Sequence, residues 1–348
     1  MLRIGFQRSD IELFITLLNN NRNSNVSSER FKWLYLDNPI GKARAWYVFD
    51  ENIEKAVAFT CVLPRIVTIK GKDIICWNCG DFSVEKTHRT LGIALKLRRA
   101  ATNAVDNHEV DALYAHPNDK MKVIHQKVGH ICIGKMNRYV KIFETTQYVQ
   151  RYVKNKYISG VISLLLNLAI NFDKKFKYRY PSEYRFQLLS DQEFSAEYDL
   201  LFCSISKYFP IVGKRDSLYL NWRYFKNPLN SFERIEIRTN KGELVGYLIY
   251  NIQNSVAHLI DIFCKPDKDI IQSMICFLIK KLKKQEVQSI SVGLMNSNPL
   301  IKFIQKMGFK IRPGEESSVY GYANENFIFS KEWIKGNNWF ITVGDRDV

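Results

Sequence analysis

Arg89-Thr90-Leu91-Gly92-Ile93-Ala94 follows a run that reads as a strand, residues 74–84, and opens a run that reads as a helix from 91 to about 105. A strand feeding a short turn with arginine and glycine into a helix is suited to holding a phosphate. Glycine lets the backbone approach an anion, and the unpaired N–H groups of the first helical turn point at it. The helix dipole adds positive potential, and Arg89 adds a formal charge. The spacing R-x-x-G-x-A also suits a plain surface turn before an amphipathic helix, so its context decides its weight.

With 348 residues and 46% hydrophobic content, the chain suits two domains of roughly 150 residues each. Residues 1–10 are mixed and charged with no apolar run, which predicts a cytoplasmic protein. Seven cysteines are an odd number, and the only close pair, Cys76 and Cys79, lies in a strand-like run. No second ligand pair has zinc-site spacing, so reduced thiols and no metal are expected.

The net charge of +16 is unevenly spread. Between residues 147 and 186 lie Arg151, Lys154, Lys156, Lys174, Lys175, Lys177, Arg179 and Arg185, against only Asp173 and Glu183. Inside this stretch, residues 158–170 (ISGVISLLLNLAI) form an apolar run too short to span a bilayer. An apolar helix with basic flanks can lie in a membrane interface beside anionic lipids. It can equally be a linker helix docked on a domain. Ser159, Ser163 and Asn167 recur on one face as an exposed polar stripe would, which favours the packed linker. Nucleic acid is not an expected partner, since the chain has no Arg-rich repeat, zinc finger or RNP-like run.

Overlaying the halves reveals a duplication. Phe6-Gln7 before Ser9-Asp10 and Phe14 answers Phe186-Gln187 before Ser190-Asp191 and Phe194. Trp33-x-Tyr35-x-x-Asn38-Pro39 answers Trp222-x-Tyr224-x-x-Asn227-Pro228. Asp81 answers Asp261, and Asn118 with Gly129 answers Asn298 with Gly308. Four matches in one order at nearly constant offset imply two copies of one αβ unit. Each copy reads as a helical opening, the aromatic segment, several strands, the motif helix, a buried strand, a helix stopped by glycine, and closing strands (130–143 and 309–323). In the first copy residues 55–63 and 65–70 read as separate strands.

The block from Asp81 to Ala94 resembles the acyl-CoA pyrophosphate loop of the GNAT (GCN5-related N-acetyltransferase) superfamily, whose pattern is Arg/Gln-x-x-Gly-x-Gly/Ala. That resemblance implies an α/β (α+β) fold of two tandem GNAT-like domains, each a mixed, mainly antiparallel sheet flanked by helices. The expected division is a catalytic acyl-CoA-binding domain at 1–146, a basic linker with an apolar helix at 147–182, and a degenerate copy at 183–348. Where the first copy has its loop, the second has Lys265-Pro266-Asp267-Lys268-Asp269-Ile270, without glycine and with two carboxylates that would repel a pyrophosphate. One acyl-CoA site is therefore expected, in the first half, with acetyl-CoA as the co-substrate.

Residue by residue, the resemblance implies that the backbone of Phe82, Ser83 and Val84 orients the thioester and stabilises its oxyanion. Backbone from Arg89, Thr90, Leu91, Gly92, Ile93 and Ala94 would hold the pyrophosphate, with Asn118 in the turn beyond. Where the family places a tyrosine to protonate the departing thiolate, this chain has His125, chemically able to give a proton near neutral pH. The second copy has Ile304 there, which cannot. Asp81, His116 and Asp119 are candidates for the general base, although the persistence of Asp261 also suits Asp81 to a structural hydrogen-bonding role. Trp33 and Tyr35 would form an acceptor wall or pack in a core. The Phe-x-Trp-x-Tyr-x-x-Asn-Pro opening and the Trp339-to-Asp347 ending are similar to GNAT-type proteins of bacterial surface-polysaccharide clusters. What that implies is N-acylation of a nucleotide-linked or lipid-linked amino sugar, with the basic surface facing a diphosphate acceptor or the anionic inner membrane. A peptide or protein amine acceptor, or CoA binding without turnover, are the other readings.

Overall fold

A computed structural model describes residues 2–4, 10–21, 25–171, 183–285 and 287–346. Among them fifteen strands share one sheet. In chain order these are β1 (Leu2–Ile4), β2 (Arg44–Asp50), β3 (Lys55–Ile69), β4 (Lys72–Val84), β5 (Ala112–Ala115), β6 (Ile131–Ile142), β7 (Tyr184–Ser190), β8 (Ile211–Gly213), β9 (Glu233–Thr239), β10 (Leu244–Gln253), β11 (Val256–Cys264), β12 (Ser289–Met295), β13 (Lys310–Ile311), β14 (Ser317–Ala323) and β15 (Trp339–Phe340). The main path runs β1-β2-β3-β4-β5-β14-β6-β12-β11-β10-β9-β7, with β8 and β15 beside β3 and β13 beside β6. Most pairs are antiparallel. The parallel pairs β4/β5 and β11/β12 occupy matching places in the two halves, as the duplication predicts.

The halves exchange their closing strands. The second part of β6, from the first half, pairs with the whole of β12 of the second, from Ser289↔Ile142 to Met295↔Met136. In return β14, from the second half, pairs with β5 and β6. The repeat is thus legible in sequence near residue 146, but the hydrogen-bond ladder runs through it. A closing strand reads the same in either position, because its alternation says which face is buried and not which neighbour it takes.

The aromatic segments meet across a pseudo-two-fold axis. The indole of Trp33 stacks on that of Trp222 with centroids 5.1 Å apart. Trp33 Nε1 donates to the Trp222 carbonyl (2.8 Å) and Trp222 Nε1 donates to that of Trp33 (2.9 Å). Both sit in π-helical turns, Lys32–Leu36 and Asn221–Phe225, which directly follow short helices. This symmetric contact is a packed core and leaves neither indole as an acceptor wall.

Two local expectations differ. Residues 55–70 do not break at Pro64, because β3 changes neighbours there. It pairs with β2 up to Val62 and with β8 from Val67, so the missing proline N–H falls in a gap between partners. The helix Lys156–Asn171 is inverted relative to the packed-linker reading. Ser159 and Ser163 are buried, while Ile158, Val161, Leu164, Leu165 and Leu168 are exposed. Small hydroxyls face Thr145 and hydrogen-bond locally, Ser163 Oγ to the Ser159 carbonyl (2.7 Å) and Thr145 Oγ1 to the Ser163 carbonyl (3.4 Å). Lys174, Lys175, Lys177 and Arg179 of the linker, like the Phe6-Gln7 repeat match, lie outside the described residues. No described helix is long and apolar enough to cross a membrane.

Candidate active site

β4 and β5 run parallel only over Trp77↔Leu113, Asn78↔Tyr114 and Cys79↔Ala115. β5 then ends, while β4 continues to Val84 against β3 alone. The amide of Glu85 donates to the Val57 carbonyl (2.8 Å), and amides alternate sides along a strand. Those of Val84 and Phe82 therefore point to the side that β5 has left. Ser83 has its amide toward β3, and its hydroxyl donates to the Leu17 carbonyl (3.2 Å). Of the three residues expected to meet a thioester, two present backbone N–H groups to the opening. A register shift between Thr60 and Val62 marks a bulge at Gly80 and Asp81. A Cβ at Gly80 would stand 2.8 Å from Cys61 Sγ, so the bulge needs glycine.

At the end of β4 the chain makes a 3-10 turn, Lys86–His88, and enters the helix Leu91–Asp106. Thr90 caps it, its hydroxyl accepting from the Ile93 amide at 3.4 Å. A neutral cap of this kind leaves the first helical amides, Leu91 and Gly92, for an outside partner. Arg89 is held beside them by Nε to the Val84 carbonyl (3.2 Å) and Nη2 to Asn21 Oδ1 (2.9 Å). A Cβ built on Gly92 would meet only Thr90 Oγ1, at 4.0 Å, so the approach is open. Asn118 caps the next helix, Asp119–Lys127, and its side chain accepts from the Met121 amide.

The second half closes both features. Its helix Lys268–Leu282 is capped by Asp267, whose carboxylate accepts from the amides of Asp269 (2.8 Å) and Ile270 (3.3 Å). β11 and β12 also part after Leu259↔Val292, but the chain's own segment Thr342 to Arg346 lies in the gap. A Cβ at Gly293 would meet Val343 Cγ2 at 2.6 Å, and one at Gly344 would meet the Tyr224 hydroxyl at 2.2 Å. Thr342 and Asp345 form a reciprocal capping box. Asp345 Oδ2 accepts from Arg215 (2.6 Å) and Oδ1 from Arg65 (3.4 Å), and Arg215 also pairs with Asp261 (3.0 Å). The Asp345 carbonyl accepts from the hydroxyl of Tyr114 on β5 (2.9 Å), at the edge of the first opening. The ending thus forms a buried strut between the halves. Burial raises the Asp345 carboxyl, yet Arg215 and Arg65 hold it below the usual range.

The candidate acid and bases fall in different settings. Asp81 is 4% exposed, with its carboxylate taking two bonds from Arg30 (2.9 and 3.2 Å) and one from the Tyr35 hydroxyl (2.6 Å). It is committed to holding the aromatic segment to the sheet, and Tyr35 is committed with it. Asp119 is an exposed first-turn residue paired with Lys122. His116 stands just beyond β5 at the mouth of the opening, with neither ring nitrogen hydrogen-bonded. Burial, and then Arg346, push its pKa down to about 3, partly offset by Asp345. His125 is buried, its Nδ1 2.8 Å from Nδ1 of His130. Burial, Arg98 and His130 push His125 well below its ordinary value, and burial and Arg98 lower His130 to about 3. Both are neutral at neutral pH, so His125 is not a standing imidazolium donor.

Sequence reasoning passed over Arg98. It is 1% exposed on the sheet-facing side of the helix Leu91–Asp106, 5.8 Å from the Phe82 ring centroid. Nη2 donates to Thr60 Oγ1 (2.9 Å), while Nε and Nη1 have no partner among the described residues. The available signal was a charged residue beside Leu97 and Ala101 on an apolar stripe. Cys76 and Cys79 are buried free thiols, and no described cluster of three or more His, Cys, Asp or Glu residues is placed to hold a metal ion.

A cavity of about 420 Å³ lies against the strut, over the face of β10, β11 and β12 that carries Asn251, His258 and Ser291. Arg223 and Arg346 line it with Asn227, Asn230, Asn251 and Gln253, and among the described residues no carboxylate does. The Arg346 carbonyl accepts from Arg223 Nη2 (3.0 Å), so the residue that perturbs His116 also borders this cavity.

No protein-family model matches the sequence, and no curated protein does. Solved structures do match in fold. A probable N-acyltransferase from Enterococcus faecalis V583 superposes with a TM-score of 0.66 at 10% identity, covering 93% of this chain and 72% of that one. A GCN5-related N-acetyltransferase from Anabaena variabilis ATCC 29413 gives 0.66 at 11%, over 93% and 73%. A tandem GNAT protein from the clavulanic acid biosynthesis pathway gives 0.56 at 11%, over 93% and 98%. The fold is the tandem GNAT fold.

Proposed function

We propose that this chain is an acyl-CoA-dependent N-acyltransferase with one working site, in the first half, using acetyl-CoA to acylate the amine of an amino sugar in bacterial surface-polysaccharide biosynthesis. The observation that carries the reading is the asymmetry of the copies. The first pairs a neutral helix cap with an open β4 edge, whereas the second has an acid cap and a filled gap. An anion and a thioester suit the first and neither suits the second. The fold neighbours, described as N-acyltransferases or N-acetyltransferases, support the reaction class. The cavity supports an acceptor rich in hydroxyls and carrying an anion, because Arg346 and four side-chain amides line it with no carboxylate among the described residues. A cationic peptide would meet like charge there.

In this reading the neutral amine attacks the thioester carbonyl carbon, and the C–S bond breaks as the tetrahedral intermediate collapses. The amides of Phe82 and Val84 receive the developing oxyanion. Arg98, with Nε and Nη1 unpartnered among the described residues, opposes the charge of the departing thiolate. The amine's proton passes to solvent water, because burial and Arg346 hold the His116 imidazole too weakly basic to take it. Asp81 plays no part in proton transfer. The test is release of free CoA thiol from acetyl-CoA with a panel of uridine-diphosphate amino sugars. Release with one or more of them is expected. CoA binding without release for any amine would leave a binding protein, and release with peptide amines alone would overturn the acceptor class.

A further inference from the structure

The helix Lys156–Asn171 turns its polar side inward and its apolar side to solvent. Ser159 is 1% and Ser163 3% exposed, and Asn167 is fixed to the body through its Oδ1, which accepts from the Thr145 amide (2.8 Å), and its Nδ2, which donates to Glu144 (2.8 Å). At about 100° per residue these three share one side, and Tyr157, Val161, Leu164, Leu165 and Leu168 lie roughly opposite. Leu164 is 60% and Leu168 53% exposed. A helix whose polar stripe is already used by its own protein has no inward role left for its leucines. Such a contiguous apolar face marks an interaction surface.

From this geometry we infer that the helix docks the protein on an anionic phospholipid bilayer, lying in the plane of the interface. The chain carries a net charge of +16, and Lys154 and Lys156 are exposed at the start of the apolar face. A second copy of so basic a chain would be repelled, whereas an anionic leaflet attracts it. Tyr152 and Tyr157 are both 88% exposed at the same end, where amphipathic rings sit at headgroup level. The 16-residue helix is about 24 Å long, too short to span but ample to lie flat with its leucines in the acyl boundary. Asn155 fixes its start, accepting from the amides of Tyr157 and Ile158, so the face is held at a set angle to the body.

This inference is independent of the acyl-transfer reading, since vesicle binding needs neither acyl-CoA nor an acceptor. The full chain should co-sediment with vesicles of phosphatidylcholine containing about one third phosphatidylglycerol, and bind pure phosphatidylcholine at least about tenfold more weakly. Leu164→Glu with Leu168→Glu should weaken binding to the anionic vesicles about tenfold or more, with the thermal midpoint and its response to CoA unchanged. Tyr157→Trp should shift its emission to the blue on the anionic vesicles. Three results would overturn the inference: no vesicle binding by the parent, undiminished binding by the double variant, or a parent dimer in sedimentation velocity that the double variant disperses.

Discussion

Replacing Gly92 by glutamate should leave the ligand-free protein at least as stable while weakening its binding of acyl-CoA. The built Cβ at Gly92 has only Thr90 Oγ1 nearby, at 4.0 Å, so the side chain enters open solvent without strain. Exchanging glycine for glutamate in a helix gains up to about 1 kcal/mol of backbone preference, reduced in a first turn. A carboxylate beside the amides of the first turn adds about 0.3–1 kcal/mol through the helix dipole. The variant should therefore melt at the parent's temperature or a few degrees above it. A pyrophosphate bound at the same amides would feel that carboxylate as a like charge. At a separation of about 5 Å the repulsion is about 3 kcal/mol at an effective dielectric of 20, and just under 1 kcal/mol in bulk water. Since about 1.4 kcal/mol is tenfold, affinity for acetyl-CoA should fall roughly five- to a hundredfold. Calorimetric titration gives the affinity, and the thermal shift with excess CoA gives the linked stabilisation. The second half already carries this arrangement in Asp267 and Asp269. Unchanged affinity in a stably folded variant would show that the pyrophosphate does not sit on this helix, and the placement of the site would fail.

Other perturbations probe the frame. Asp345→Asn removes the carboxylate that Arg65 pairs with among the described residues, while Arg215 keeps Asp261. Urea denaturation should show a loss of about 3–5 kcal/mol, and Arg65→Met on that background should recover part of it; a loss below about 1 kcal/mol would deny the strut its role. Three histidines, the buried His125 and His130 and the half-buried His116, have folded pKa values depressed below the unfolded one. The unfolded chain takes up protons below about pH 6.5 that the native state refuses, so stability present above that pH is lost at up to about 1.4 kcal/mol per unit for each group as pH falls toward the folded values. Thermal midpoints at pH 7.5, 6 and 5 should drop progressively and His130→Gln should flatten the slope, whereas a flat parent profile would contradict the burial. Trp33→Ala deletes one side of a stacked, reciprocally hydrogen-bonded pair and should cost about 3–5 kcal/mol in the same urea assay. Because the closing strands are exchanged, parent and variant should each unfold in one transition, and separate transitions for the halves would refute the shared sheet.

Much of the scaffold was legible along the chain. The Trp-x-Tyr and Asn-Pro segments repeat because each half needs the same π-helical turn against its partner, and local chemistry writes that turn twice. The neutral entry to the motif helix was legible for a related reason. Arginine, a capping threonine and glycine within four residues act on neighbouring backbone, so spacing alone carries the message. The roles of isolated polar residues were not legible. Asp81 looked like a base until Arg30, 51 positions away, took both its oxygens. His125 reads as an acid along the chain, but burial beside Arg98 and His130 drives it to the neutral form.

By itself the sequence determined the duplication, the neutral cap of the first motif helix and the acid cap that replaces it in the second copy, each written in local segments of the chain. Only the tertiary structure decided that β6 and β14 cross between halves, that residues 342 to 346 fill the second opening, and that the linker helix presents leucine outward. Hydrophobic period and turn chemistry define an element and its faces. They carry no record of which distant strand lies alongside, which carboxylate meets which guanidinium, or which face of a helix the body has already used.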